Sequence, residues 1–190
     1  MPATAVATVA GSFASLIKPG AEVGLRYAEA LLKGITPETF AHMPSKDASK
    51  GGTGKDINSP AFNIGHLSIY PDLRILPLLG REDLVRPMPY SIDQFKAGAP
   101  CIDCGIGEPG AYPSMDVIVA TYFDRYRAVL DVLPSVADSM TARENPLEGR
   151  MREIFPTVGA VVTFLLVGHP QAHLGQISIW RRLMGHGSAL

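Results

Sequence analysis

The sequence is poor in the features that would assign a class of protein at once. It has only two cysteines among 190 residues, so a secreted framework held by several disulfides is not expected. Acidic and basic residues nearly balance at a net charge of -1, without a long run of either sign. Nothing therefore predicts a partner such as nucleic acid or an anionic membrane. The longest apolar run, residues 158–168, is too short to cross a bilayer.

The N-terminal segment also lacks the features of an export signal. Residues 1–20 are small and apolar, but no basic region precedes the apolar stretch, so we expect a cytoplasmic location. A chain of 190 residues is typical of one domain and is long enough to bury a large core. We therefore expect residues 1–190 to form a single domain, with residues 1–19 as an N-terminal arm or a short helix.

Alternating strand patterns are absent, and apolar residues at helical spacing dominate. Four segments carry that spacing together with start or stop signals, and these are residues 21–34, 59–80, 114–133 and 157–184. Residues 81–113, rich in proline and glycine, separate the second segment from the third. A connection of this length is uncommon in a compact domain unless it is functional or packed as a lid. The sequence therefore predicts an all-α fold, a four-helix bundle with one long connection between helices 2 and 3.

The helical spacing also predicts which residues face the core. The inward face of the first helix is predicted to contain Val23, Tyr27, Ala30 and Leu31. The inward face of the second helix is predicted to contain Phe62, His66, Ile69, Leu73 and Leu76. The inward face of the third helix is predicted to contain Ile118, Val119, Tyr122, Tyr126, Val129 and Leu133. Phe123 and Val119 flank the core stripe of the third helix and could form a dimer surface. We expect a homodimer.

Prolines and glycines predict local disturbances. Pro71 should kink the second helix, because its ring removes a hydrogen bond and collides with the preceding turn. Pro170 biases His169 away from α-helical backbone, so the fourth helix is expected to break, or to restart at Pro170 with His169 as its cap. Residues 45–59 are polar and rich in glycine and are predicted to form a mobile loop.

Three histidines are the most informative polar residues. His169 and His173 are four residues apart on a stripe that also carries Trp180, so both should point inward. Spacing alone is weak, because a core histidine with one hydrogen bond explains it as well. Two buried imidazoles leave up to four nitrogens in need of partners, however, and a shared metal would satisfy one on each ring. His66, on the inward stripe of helix 2, would supply a third ligand and leave one position open for water or substrate.

Several more specific motifs are absent. A zincin protease needs H-E-x-x-H, and Pro170 occupies the position of its catalytic glutamate. The Glu-x-x-His pairs of di-iron carboxylate bundles do not occur. Neither a dinucleotide-binding glycine pattern nor a P-loop is present, because GGTGK at residue 51 lacks the required spacing.

Two segments are similar to the signature regions of the DinB-like superfamily. They are G-H-L around His66 and H-x-x-x-H-x-G-Q-I followed by R-R-x-x-G over residues 169–185. Members of this family are small helical bundles described as metal-dependent enzymes, and they include thiol-dependent S-transferases and a mycothiol-dependent maleylpyruvate isomerase. The resemblance covers most of the chain from about residue 20 and implies a metal held by His66, His169 and His173.

Such a site permits several activities. Three histidines suit zinc, nickel or iron. The resemblance implies that the open position takes the sulfur of a low-molecular-weight thiol, as in an S-transferase or isomerase acting on a small molecule. A metal-hydroxide hydrolase and a non-catalytic bundle that binds a small ligand remain alternatives. A fourth protein ligand would favour a structural site, whereas an open position would favour an enzyme.

Four other side chains are candidates for the surroundings of the metal. Tyr122 could bind a substrate, although an inward tyrosine is more often a core residue. Gln176 could hydrogen-bond a histidine ring or lie at the edge of the bundle. Cys101 and Cys104 form C-I-D-C in the long connection, where they are plain loop residues or else a reversible disulfide or lid thiol near the metal.

Overall fold

The computed structural model describes residues 12–47, 56–108 and 111–189, and the predicted all-α fold is confirmed over these residues. Helix α1 is Phe13–Leu32 and helix α3 is Met115–Val132. Helix α2 comprises Pro60–Ser68, a π-helical turn at Pro71–Ile75 and a last turn at Leu76–Leu78. Helix α4 comprises Val158–Thr163, a π-helical turn at Phe164–Gly168 and the segment His169–Leu183. Short helical segments connect them, at Pro37–Phe40, Glu82–Leu84, Ile92–Gln94, Leu133–Ser135, Asp138–Thr141 and Arg150–Ile154.

A hydroxyl side chain caps the N-terminus of each of the four helices. Ser12, Ser59, Ser114 and Thr157 each accept a hydrogen bond from the backbone N–H three residues later. The cap at Ser12 explains why α1 begins eight residues earlier than predicted and includes Pro19. Residues 13–19 are therefore part of α1, whereas residues 1–11 and residues 48–55 of the predicted mobile loop lie outside the described residues.

Pro170 does not break the fourth helix, so that prediction is wrong. His169 has φ -64° and ψ -47°, and Gly168 before it is also α-helical. A π-helical turn ends at this point, where the N–H of His169 bonds the carbonyl of Phe164, five residues back. Pro170 has no N–H to offer the next carbonyl, that of Leu165, and the Tyr126 hydroxyl donates to it instead at 3.5 Å. The helix therefore runs continuously through both metal-ligand candidates.

The π-helical turns also explain an error in the predicted core. At Pro71, where a kink is predicted, α2 changes to a π-helical turn, and Leu76 bonds the carbonyl of Pro71. A π-turn holds one residue more than an α-turn and so rotates the residues within it relative to the rest of the helix. Leu73 is consequently 37% exposed, contrary to prediction, while Ile75 and Leu76 are buried.

The inward face of α1 also differs from the prediction, whereas that of α3 agrees with it. Val23 is 51% exposed, and the buried face of α1 consists of Ala21, Gly24, Leu25, Ala28, Leu31 and Leu32. Of the six residues predicted for the third helix, Ile118, Tyr122, Tyr126, Val129 and Leu133 are buried, and Val119 is half-buried. Phe123, one of the two residues of the predicted dimer surface, is only 9% exposed, and the Arg127 guanidinium lies 5.0 Å from its ring centroid. Over the described residues, no helix has the length and apolar character needed to span a membrane.

The long connection between α2 and α3 packs against both helices. Asp72 and Arg125 form a buried ion pair between α2 and α3, with Oδ2 and Nη1 at 2.8 Å. The same two side chains bind the connection, because Asp72 accepts from the N–H of Arg86 at 2.9 Å and Arg125 donates to the carbonyl of Pro87 at 2.8 Å. Phe95, further along the connection, is fully buried against Gly65 of α2. The connection is thereby held next to His66.

Candidate metal centre

The structure brings the three predicted histidines together between α2 and α4. The Nε2 atoms of His66 and His173 each lie 3.1 Å from Nε2 of His169, and the ligand nitrogens of all three lie within 4.8 Å of one another. Two nitrogens bound to one metal at 2.0–2.1 Å are separated by 3.1 Å when their angle at the metal is about 100°. The cluster could therefore hold a metal ion.

Two of the rings are held by hydrogen bonds on the side away from the cluster. Nδ1 of His66 donates to the carbonyl of Phe95 at 2.6 Å, and Nδ1 of His173 donates to Oδ1 of Asn63 at 2.8 Å. Both acceptors lack a proton of their own, so each neutral ring carries its single proton on Nδ1. Their Nε2 lone pairs consequently point at the cluster, which is the arrangement of metal-binding histidines.

His169 is held by packing instead. Its Nδ1 is buried and has no hydrogen-bond partner among the described residues. The rings of Tyr70 and Phe164 pack against it, with centroid distances of 4.7 Å and 5.5 Å. If His169 carries its proton on Nδ1, both 3.1 Å contacts are between two lone pairs. If the proton is on Nε2, it can be donated to only one of the other two rings, and the other contact has no hydrogen bond. A bound cation removes that conflict.

Burial keeps all three rings neutral, which is the form that binds a metal. Loss of hydration lowers the pKa of His66, although its hydrogen bond to the Phe95 carbonyl acts in the opposite direction. Burial, together with the neighbouring rings, lowers the pKa of His169 to about 4 and that of His173 to about 3. At neutral pH no proton has to be displaced from a charged imidazolium.

The cluster brings together three candidate protein ligands and is not completely buried. His66 is buried, but His169 and His173 keep partial exposure. Over residues 12–47, 56–108 and 111–189, no aspartate, glutamate, cysteine or further histidine joins the group. Three protein ligands without a fourth are typical of catalytic rather than structural zinc sites.

The other candidate residues lie elsewhere. Tyr122 is buried in α3, where its ring packs against Phe123 and Tyr126 and burial raises its pKa. The tyrosine whose ring contacts the histidines is Tyr70, 5.0 Å from His66 between centroids. Oε1 of Gln176 accepts from the side chain of Asn58 at 3.3 Å, whereas the amide that bonds a histidine is Asn63.

Sequence reasoning missed Asn63, Tyr70 and Phe95. The first two were within its reach, because Asn63 precedes His66 by three residues and Tyr70 follows it by four, which places all three on one face of a helix. No pattern could have identified Phe95, because it contributes a backbone carbonyl from an irregular segment.

Cys101 and Cys104 are free thiols and do not belong to the histidine group. Cys101 is half-buried, and its Sγ accepts from the N–H of Ser59 at 3.4 Å, while Cys104 is only 6% exposed. We expect a disulfide reagent to modify one thiol in the native protein and both in guanidinium chloride. Burial raises the pKa of Cys101, so its modification should accelerate as the solution becomes more alkaline.

Mass spectrometry of the Cys101→Ser and Cys104→Ser variants identifies the reactive thiol. The native Cys104→Ser variant should still be modified, and the native Cys101→Ser variant should not. Modification of Cys104 at an equal rate would contradict its burial.

One of three comparisons with known proteins gives a match. A family model described as the DinB superfamily matches residues 22–177, which include all three histidines. Neither curated proteins nor solved structures give a significant match. Since the family model covers most of the sequence, the chain belongs to the DinB superfamily.

Proposed function

We propose that the protein is a metal-dependent enzyme that holds one divalent ion, zinc, nickel or iron, on His66, His169 and His173. The observation that carries the proposal is the convergence of the three Nε2 atoms, with two of the rings fixed so that their lone pairs face one point. When bound, such an ion supplies Lewis acidity that activates a small thiol or a water molecule.

We further propose that the substrate of this activation is a low-molecular-weight thiol, in an S-transferase or isomerase reaction. The three ligands are neutral, so they leave the full charge of the ion to be balanced by an anionic partner. A thiol, with an ordinary pKa near 8.5, becomes an anion far more easily than water, at 15.7. The cluster itself contains no carboxylate that could serve as a base, which favours the more acidic partner.

Elemental analysis of the purified protein tests the metal site. We expect one divalent ion per chain in the wild type and a near-complete loss in a variant with His66, His169 and His173 all changed to alanine. His42→Ala is a matched control, because His42 bonds Asp103 at 2.8 Å and is not a member of the cluster. Circular dichroism verifies that each variant is helical. Equal metal content in the wild type and the triple variant would exclude the site.

Thiol dependence is tested separately on the cobalt-substituted protein. Adding a small thiol such as glutathione, bacillithiol or mycothiol should produce a sulfur-to-cobalt charge-transfer band, and the band should be absent in His66→Ala. A metal-loaded protein that shows no such band with any of these thiols, yet hydrolyses ester or amide substrates, would replace the transferase by the hydrolase alternative.

A further inference from the structure

We propose that Asn63 is a positioning residue that fixes the tautomer and direction of His173, and this inference rests on the proposed metal site. Asn63 is fully buried in the first turn of α2. Its Oδ1 accepts the Nδ1 proton of His173 at 2.8 Å. The acceptor for His173 is a side-chain oxygen, so a substitution can remove it. The acceptor for His66 is the backbone carbonyl of Phe95, which a substitution cannot remove.

The orientation of the Asn63 amide is determined by its other contacts. Its Nδ2 donates to the carbonyl of Asn58 at 3.3 Å and to that of Ser59 at 3.2 Å. A flipped amide would turn its oxygen toward these two carbonyls and leave the N–H groups facing His173. Carbonyl oxygens cannot donate, so only the observed orientation satisfies all three contacts. Asn63 can therefore only accept from His173.

Without this acceptor, His173 has a competing state that blocks the metal site. Its proton could move to Nε2, from which it would donate to Nε2 of His169, 3.1 Å away. That hydrogen bond would pair the two Nε2 atoms with each other and occupy the lone pairs that the metal needs. Asn63 prevents this state by holding the proton on the opposite nitrogen.

Metal affinity distinguishes positioning from a general loss of stability. Zinc affinity, measured by competition with a chromophoric chelator, should fall about 10–100-fold in Asn63→Ala. Asn145→Ala is a matched control, because Asn145 is also fully buried and its side chain also makes three hydrogen bonds. Its Nδ2 donates to the carbonyls of Met151 and Phe155 at 3.2 Å and 2.8 Å, and its Oδ1 accepts from the N–H of Leu147 at 3.0 Å. Its loss should destabilise the fold and leave the zinc affinity unchanged.

A second readout needs no metal. Nitrogen-15 spectra of the imidazole rings in chelator-treated protein should show the Nδ1–H tautomer of His173 in the wild type and the Nε2–H tautomer in Asn63→Ala. Asn63→Asp keeps the acceptor and loses the two donors, so it should retain the wild-type tautomer.

The outcomes separate this inference from the proposed function. Wild-type zinc affinity in Asn63→Ala, an equal loss in Asn145→Ala, or an unchanged tautomer in Asn63→Ala would each overturn the role of Asn63. A wild-type protein that binds none of zinc, nickel and iron would overturn the proposed function, and the tautomer spectra would still decide whether Asn63 orients His173.

Discussion

Replacing Asp72 by alanine is expected to lower the free energy of unfolding by about 3–5 kcal/mol, because the buried Arg125 guanidinium then has only the exposed carboxylate of Asp124, 3.9 Å from its Nε, as a counter-charge. The side chains of Asp72 and Arg125 are only 5% and 8% exposed, so water cannot take over the lost interaction. The N–H of Arg86 loses its acceptor as well. Denaturation by urea, followed by circular dichroism, measures the change.

An exposed ion pair of nearly the same length provides the control. Glu29 and Arg127 lie 2.9 Å apart, against 2.8 Å for Asp72 and Arg125, but more than half of each side chain is exposed. Glu29→Ala should therefore cost less than about 1 kcal/mol. A double variant, Asp72→Leu with Arg125→Met, should recover much of the lost stability, because no unpaired charge remains. Equal losses in Asp72→Ala and Glu29→Ala would show that burial does not determine the effect.

Gly65→Ala is expected to damage both the fold and the metal site. A Cβ atom at this position would overlap the ring of Phe95, which is fully buried and packs against the rings of Tyr90 and Tyr112. Overpacking of this kind costs about 1–3 kcal/mol, which outweighs the gain of roughly 1 kcal/mol that alanine brings to a helix interior. Moving Phe95 also moves the carbonyl that accepts from His66, so zinc affinity should fall.

Gly175 is the corresponding control, since it lies in α4 two residues after His173. A Cβ atom there meets nothing within 4 Å, so Gly175→Ala should leave zinc affinity unchanged and raise stability by up to about 1 kcal/mol. Thermal denaturation in the presence of a chelator isolates the effect on the fold, and chelator competition isolates the effect on the site. Unchanged zinc affinity and stability in Gly65→Ala would mean that Phe95 can move without disturbing His66.

Much of the fold was accessible from the sequence, because helical spacing and capping residues are local properties. Hydroxyl residues before α2, α3 and α4, with proline directly after Ser59, indicated three of the four starts, whereas the cap at Ser12 was missed. Apolar spacing identified most of the inward face of α3. The convergence of His66 with His169 and His173 could be predicted for the same reason, because inward stripes of neighbouring helices in a bundle face one another.

The errors arose where tertiary contacts override local preference. A proline predicts a broken helix when only its own backbone is considered, but the π-helical turn before His169 and the hydroxyl of Tyr126 accommodate Pro170. The exposed side chain of Leu73 has a similar origin in the π-helical turn of α2. Neither turn has a sequence signature at the level of residue spacing.

The hydrogen bond from His66 to the Phe95 carbonyl joins metal binding to the docking of the long connection. If packing of the connection against α2 raises the affinity for the ion, then binding of the ion must stabilise this packing by the same free energy, because the two equilibria are linked. Backbone amides of residues 90–96 would accordingly exchange hydrogen more slowly in zinc-loaded protein than in chelator-treated protein. The connection is then part of the metal centre. Its local unfolding and the release of the metal are coupled to each other.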